Sequence, residues 1–108
     1  MNWIQVGTLN DIPRQGSRVI NTAHGEIALF RNKDDQVFAL NNRCPHKGGP
    51  LAQGIVHGTR VTCPLHSWVI DLETGSAIAP DVGCAHRHEV RVAHEVLFLA
   101  VEAGVCKA

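Results

Sequence analysis

At 108 residues the chain has room for one domain around one modest core, burying about 65% of its unfolded surface, and no room for a second. Ten Lys and Arg offset ten Asp and Glu, so with neutral histidines the formal charge is zero, which argues against nucleic acid or an anionic membrane as the main partner. No stretch approaches the roughly 18 apolar residues of a membrane span, and the opening Met1-Asn2-Trp3-Ile4 lacks a basic segment leading into an apolar one; the expectation is a cytoplasmic chain without a membrane anchor, acting on a protein partner.

Along the chain, short strands alternate with turn chemistry and no helical period is sustained. Trp3 to Val6 alternates as a strand, and Arg18 to Ile20 is a second short candidate. Glu26-Ile27-Ala28-Leu29-Phe30-Arg31 and Gln36-Val37-Phe38-Ala39-Leu40 flank Asn32-Lys33-Asp34-Asp35, a hairpin signal. Further strands are expected at Gly54 to His57, Arg60 to Thr62, Trp68 to Leu72, His88 to Ala93 and Val96 to Val101. Turns at His57-Gly58-Thr59, Glu73-Thr74-Gly75 and His94-Glu95 separate them. A short helix at Leu9 to Ile12 or within Ala77 to Pro80 is compatible with the pattern. The whole reads as one all-β domain, residues 1–108, built of antiparallel sheets or a small barrel.

Two segments carry the chemistry. Cys44-Pro45-His46 and Cys63-Pro64-Leu65-His66 each offer one thiolate and one imidazole, and each follows an expected strand end. Loops held by a rigid sheet can place ligands tightly. Two sulfur and two nitrogen ligands suit a tetrahedral zinc ion, and they also suit a [2Fe–2S] cluster in which two cysteines hold one iron and two histidines the other. Zinc ligand pairs normally have two to four residues between them so that both reach one ion, whereas Pro45 alone separates Cys44 from His46. In a binuclear cluster the Cys and His of one loop serve different irons, so the spacing favours the cluster.

The other Cys and His residues suggest no second centre. Cys84 and Cys106 are expected as free thiols in a reducing compartment. His86 and His88 read as one solvated face at the start of a strand, and His24, His57 and His94 fall in turns. Arg43 and Lys47, beside the first motif, read as solvated surface charges.

The paired CxH and CxxH segments resemble the signature of the Rieske family. The longer stretches CPHKGGPLAQGIVH (44–57) and VTCPLHSWVIDLETG (61–75), with Pro80-Asp81 and Trp3, are similar to the small subunits of assimilatory NAD(P)H-dependent nitrite reductases. The resemblance implies Rieske-type stacked antiparallel sheets, with Cys44, His46, Cys63 and His66 in two cluster-binding loops. It further implies that Pro80-Asp81-Val82-Gly83 covers the cluster; Trp68, two positions after His66, reads either as a shield or packing residue for the cluster loop or as a generic core aromatic at a strand start.

Two ferric ions, two sulfides and two thiolates sum to zero charge, so the potential lies between about −150 and +300 mV, above the all-cysteine type near about −400 mV. High-potential members add a disulfide between the two loops and hydroxyl donors after the second histidine. Gly49, Leu65, Trp68 and Ile70 stand at those positions here, which places the expectation at the lower end of the range.

No GxGxxG opens a helix and no further cysteine group could hold a sirohaem-linked cluster, so the chain alone binds no nucleotide and reduces nothing. The resemblance assigns catalysis to a large nitrite reductase subunit carrying flavin, sirohaem and iron–sulfur, where nitrite becomes ammonium. Two alternatives stay open: a soluble Rieske ferredoxin serving an aromatic-ring dioxygenase, and a domain whose metal only holds its loops together.

Overall fold

The structure, a computed structural model, describes residues 3–23, 25–45, 49–64 and 67–100. These form strands β1 (Trp3–Thr8), β2 (Gly16–Thr22), β3 (Gly25–Arg31), β4 (Val37–Asn41), β5 (Ile55–His57), β6 (Arg60–Thr62), β7 (Val69–Asp71), β8 (Arg87–His88), β9 (Val90–Ala93) and β10 (Val96–Ala100). They pair antiparallel in three sheets, ordered β1-β10-β9, β2-β3-β4-β8 and β5-β6-β7. One 3-10 turn lies at Leu9–Asp11, within the region expected to allow a short helix, and another at Leu51–Gln53, which the sequence reading did not anticipate.

The middle sheet explains the near-continuous apolar run of β3. Ile27 and Leu29 face one way, joining Ile12, Ala39, Leu97 and Leu99 in a core shared with the β1-β10-β9 sheet. Ala28 and Phe30 face the other way, joining Leu40, Leu51, Val61, Ile70 and Leu72 in a core shared with the β5-β6-β7 sheet. A strand buried on both faces loses the polar alternation of a surface strand. Each fully buried Leu, Ile or Phe side chain contributes about 1.5–3 kcal/mol of transfer free energy, so β3 anchors both halves.

The turns follow from their residues. Asn32 is buried in the β3–β4 hairpin, where its Oδ1 accepts from the amides of Asp34 and Gln36, both at 3.0 Å. Its Nδ2 donates to Gln36 Oε1 at 2.8 Å and to the Gly58 carbonyl at 3.0 Å, tying this hairpin to the turn between β5 and β6. In the β9–β10 hairpin both His94 (φ 50°) and Glu95 (φ 66°) are left-handed, as a two-residue type I′ turn requires.

Two expectations need correction. The strand expected from His88 to Ala93 is interrupted at Glu89, because β8 pairs with β4 of the middle sheet whereas β9 pairs with β10 of an outer one. His88 is not on a solvated face beside His86. His86 is exposed, but His88 is buried and its Nε2 lies 2.7 Å from Asn41 Oδ1 on the paired strand. Among the described residues no helix is long and apolar enough to cross a membrane.

Candidate metal centre

Both candidate cysteines sit at the root of a loop closed in the same way. The Cys44 amide donates to the Gly49 carbonyl at 2.7 Å, closing residues 44–49, and the Cys63 amide donates to the Trp68 carbonyl at 2.6 Å, closing residues 63–68. The first loop follows β4 and leads into the turn at Leu51–Gln53; the second joins β6 to β7, whose register pairs Thr62 with Val69. His46, Lys47, Gly48, Leu65 and His66 lie outside the described residues.

The two thiols are 2% and 1% exposed, belong to one buried apolar cluster with Leu51, Val56 and Ile70, and neither is in a disulfide. Buried, reduced sulfur at the roots of two loops fits thiolate ligands to a soft metal. The chemistry of the donor set therefore suits a [2Fe–2S] cluster on the cysteine side.

A third loop packs against both. Its ends are joined by the Ala77 amide donating to the Gly83 carbonyl at 2.8 Å, and Ile78 donates to the Val69 carbonyl at 2.9 Å. At Gly83 (φ +145°) a Cβ would stand 3.0 Å from Pro45 Cβ and 3.8 Å from the Trp68 ring. Glycine is needed there for the backbone angle and for this approach. Gly75 (φ +83°) plays the same part at the loop's base, since a Cβ would meet the Ala85 carbonyl oxygen at 2.1 Å. Trp68 is half-buried and packs on the apolar cluster that contains Cys63, between the second and third loops. Val82, at the tip of the third loop, is 87% exposed.

Cys84 is disulfide-bonded rather than a free thiol. Cysteine pairing depends on which segments the fold brings together, and a compartment rule cannot supply that. Arg43 is exposed on the first loop, in keeping with a solvated charge. The sequence reading also passed over Asn41 and Asn42. Side-chain amides just before a ligand loop are a usable signal, because they bond the backbone of irregular segments.

Comparison with known proteins places these features. The model of the Rieske [2Fe-2S] domain matches residues 2–90. The ferredoxin component of the naphthalene 1,2-dioxygenase/salicylate 5-hydroxylase systems of Ralstonia sp is 32% identical over 77 residues, covering 71% of this chain and 73% of that protein. Larger relatives match over a fraction of their length: the chain spans 16% of cholesterol 7-desaturase of Hemicentrotus pulcherrimus, at 31% identity over 70% of this chain.

Among solved structures, the ferredoxin of carbazole 1,9a-dioxygenase from Nocardioides aromaticivorans superposes with TM-score 0.84 at 25% identity, over 94% of this chain and all of that one. A Mycobacterium tuberculosis protein provisionally described as an NADH-dependent nitrite reductase small subunit gives 0.83 at 23% identity, over 94% and 96%. The family match, the all-β sheets and the paired buried thiols converge: the chain belongs to the Rieske [2Fe-2S] domain family and is an electron-transfer domain that binds a [2Fe–2S] cluster.

Proposed function

We propose that Cys44 and Cys63 ligate one iron and His46 and His66 the other, and that the chain is the Rieske-type small subunit of a cytoplasmic assimilatory NAD(P)H nitrite reductase. The observation that carries the ligand assignment is the pair of buried thiols at the roots of two alike loops. When bound, the cluster supplies a one-electron relay. The chain's own residues would help keep that relay dry: Ile70 and Leu51 share the buried cluster of the two thiols, while Gly83 approaches Pro45 and Trp68 of the other two loops.

The nitrite reductase reading rests on the stretches 44–57 and 61–75, together with a fold shared along nearly all of both chains with a described small subunit. Flavin, sirohaem and a further iron–sulfur cluster would reside on the large subunit, which would reduce nitrite to ammonium. The test is co-expression with a large sirohaem flavoprotein of that class. A stable complex whose nitrite-dependent NAD(P)H oxidation falls when this chain is omitted supports the reading.

A second reading has its own observation, the 32% identity to a dioxygenase ferredoxin component over most of both chains. Under it the chain is a free carrier, and it would turn over with an aromatic-ring oxygenase while forming no lasting complex with the flavoprotein.

A further inference from the structure

We propose that Asn42 is a positioning residue for the cluster, its side chain fixing the distance between the two stems of the first ligand loop and thereby how firmly the loop keeps its iron. This rests on the assignment of Cys44 and His46 as ligands.

Asn42 stands where β4 gives way to the loop, and Ala52 stands in the turn that ends it. That turn begins at Pro50, which makes no side-chain cap, so its first amides need acceptors from elsewhere. Asn42 Oδ1 supplies one, accepting from the Ala52 amide at 2.8 Å across ten positions of sequence. On its other side Asn42 is held by Glu26 at the start of β3: the Asn42 amide donates to the Glu26 carbonyl at 3.0 Å and Nδ2 donates to Glu26 Oε1 at 3.1 Å. The Ala52 carbonyl in turn accepts from the Ser17 hydroxyl on β2. Both stems are therefore pinned to the middle sheet, and the Asn42 side chain closes the gap between them.

Within the stems the Cys44 amide donates to the Gly49 carbonyl at 2.7 Å. Losing the Asn42 bond leaves that inner bond in place and lets the two stems separate. The expected effect is local, a looser loop around a ligand pair, with the sheets unaffected.

The experiment uses the cluster-loaded full chain. Iron release to an excess of ferrous chelator is timed for wild type, Asn42→Ala, Asn42→Asp and the double variant Asn42→Asp/Glu26→Gln, with amide hydrogen exchange followed by peptide. Asn42→Ala is expected to release iron about tenfold faster, the scale of one lost hydrogen bond, with faster exchange confined to peptides covering residues 43–53. Asn42→Asp keeps the acceptor for Ala52 but sets a carboxylate against Glu26, so it also loosens the loop. Glu26→Gln restores a donor and is expected to return the rate to within about twofold of wild type.

Unchanged iron release in Asn42→Ala overturns the proposal, as does faster exchange spread evenly over β3 and β10. If Asn42→Ala does not fold, the pair of Asp variants decides: failure of Glu26→Gln to restore the rate overturns it. A wild-type chain that takes up no cluster would instead refute the ligand assignment on which the proposal rests.

Discussion

The amide of Cys63 donates to the carbonyl of Trp68 at 2.6 Å, repeating in the second loop the bond that Cys44 makes to Gly49 at 2.7 Å in the first. Each cysteine thus opens a loop whose far end is tied back to the cysteine's own amide. Because both sulfurs also lie in one apolar cluster, the frame around the two proposed thiolate ligands is built by backbone bonding and core packing. A cysteine replacement that keeps its size should leave this frame standing and remove only the proposed ligand.

Cys63→Ser tests that separation. A serine hydroxyl replaces a soft thiolate with a hard, weakly acidic oxygen donor. Iron and sulfide per chain should fall below about a tenth of wild type, with loss of the reduced-state electron paramagnetic resonance signal, while the β-sheet circular dichroism persists. Cys84→Ser is the control and should retain about two irons per chain. Full iron in Cys63→Ser would remove Cys63 from the ligand set.

Gly83→Ala addresses the third loop. The residue sits at φ +145°, where a side chain is strained, and its Cβ would press on Pro45 at 3.0 Å. The cost is about 1–3 kcal/mol, read as a lower urea midpoint. Moving the third loop away from Pro45 and Trp68 admits water, which favours the reduced cluster because it carries one more negative charge, so the midpoint potential should rise. A variant of wild-type stability and potential would show that Gly83 does not seal the site.

Much of this was legible from residue types. Cys44 and Cys63 stand at the roots of two loops, while His46 and His66 lie outside the described residues, and the Asn32-Lys33-Asp34-Asp35 hairpin lies between β3 and β4 as expected. What escaped was long-range. Glu89 looks like one more strand residue, yet it is where the chain leaves the middle sheet for the outer one. His88 looks like surface by its polarity, yet Asn41, 47 positions away, supplies its partner inside. Periodicity registers which face a residue shares with its neighbours, and it is blind to a partner contributed by a distant strand.

The potential provides a further test. Trp68 is half-buried and Ile70 fully buried at positions where high-potential relatives are expected to present hydroxyl donors, and neither side chain carries a hydroxyl. Without those donors the added negative charge of the reduced cluster is less stabilised. A potentiometric titration should give a midpoint near the lower end of the range of about −150 to +300 mV. A value near the upper end would contradict this account of the site.

Acid stability should depend on Asp35. Its carboxylate accepts from Arg31 Nε at 2.9 Å, and this bond, with the charges of Arg14 and Arg31 and against some desolvation, holds the group below its ordinary value of 3.8. A lowered folded-state value means the stabilisation is complete above the ordinary carboxylate range and is lost as pH falls through the folded value. Asp35→Asn keeps a residue that tolerates the left-handed backbone found there (φ 63°) and removes the titration. Its urea midpoint should be lower than wild type at neutral pH and converge with it in acid. Parallel curves at all pH values would refute the role of this ion pair.

Val82 offers the most direct probe of how the electron leaves. It is 87% exposed, and it immediately precedes the glycine that lies against the first ligand loop. An exposed valine beside the loop of Cys44 adds little to stability, whereas an apolar contact there would help a partner exclude water. Val82→Asp should leave iron content, resonance signal and potential close to wild type. It should slow electron exchange with the protein's redox partner by roughly three- to tenfold, with the loss growing weaker at high salt if repulsion contributes. Unaltered transfer would place the docking surface elsewhere and leave the tip of the third loop as a cover alone.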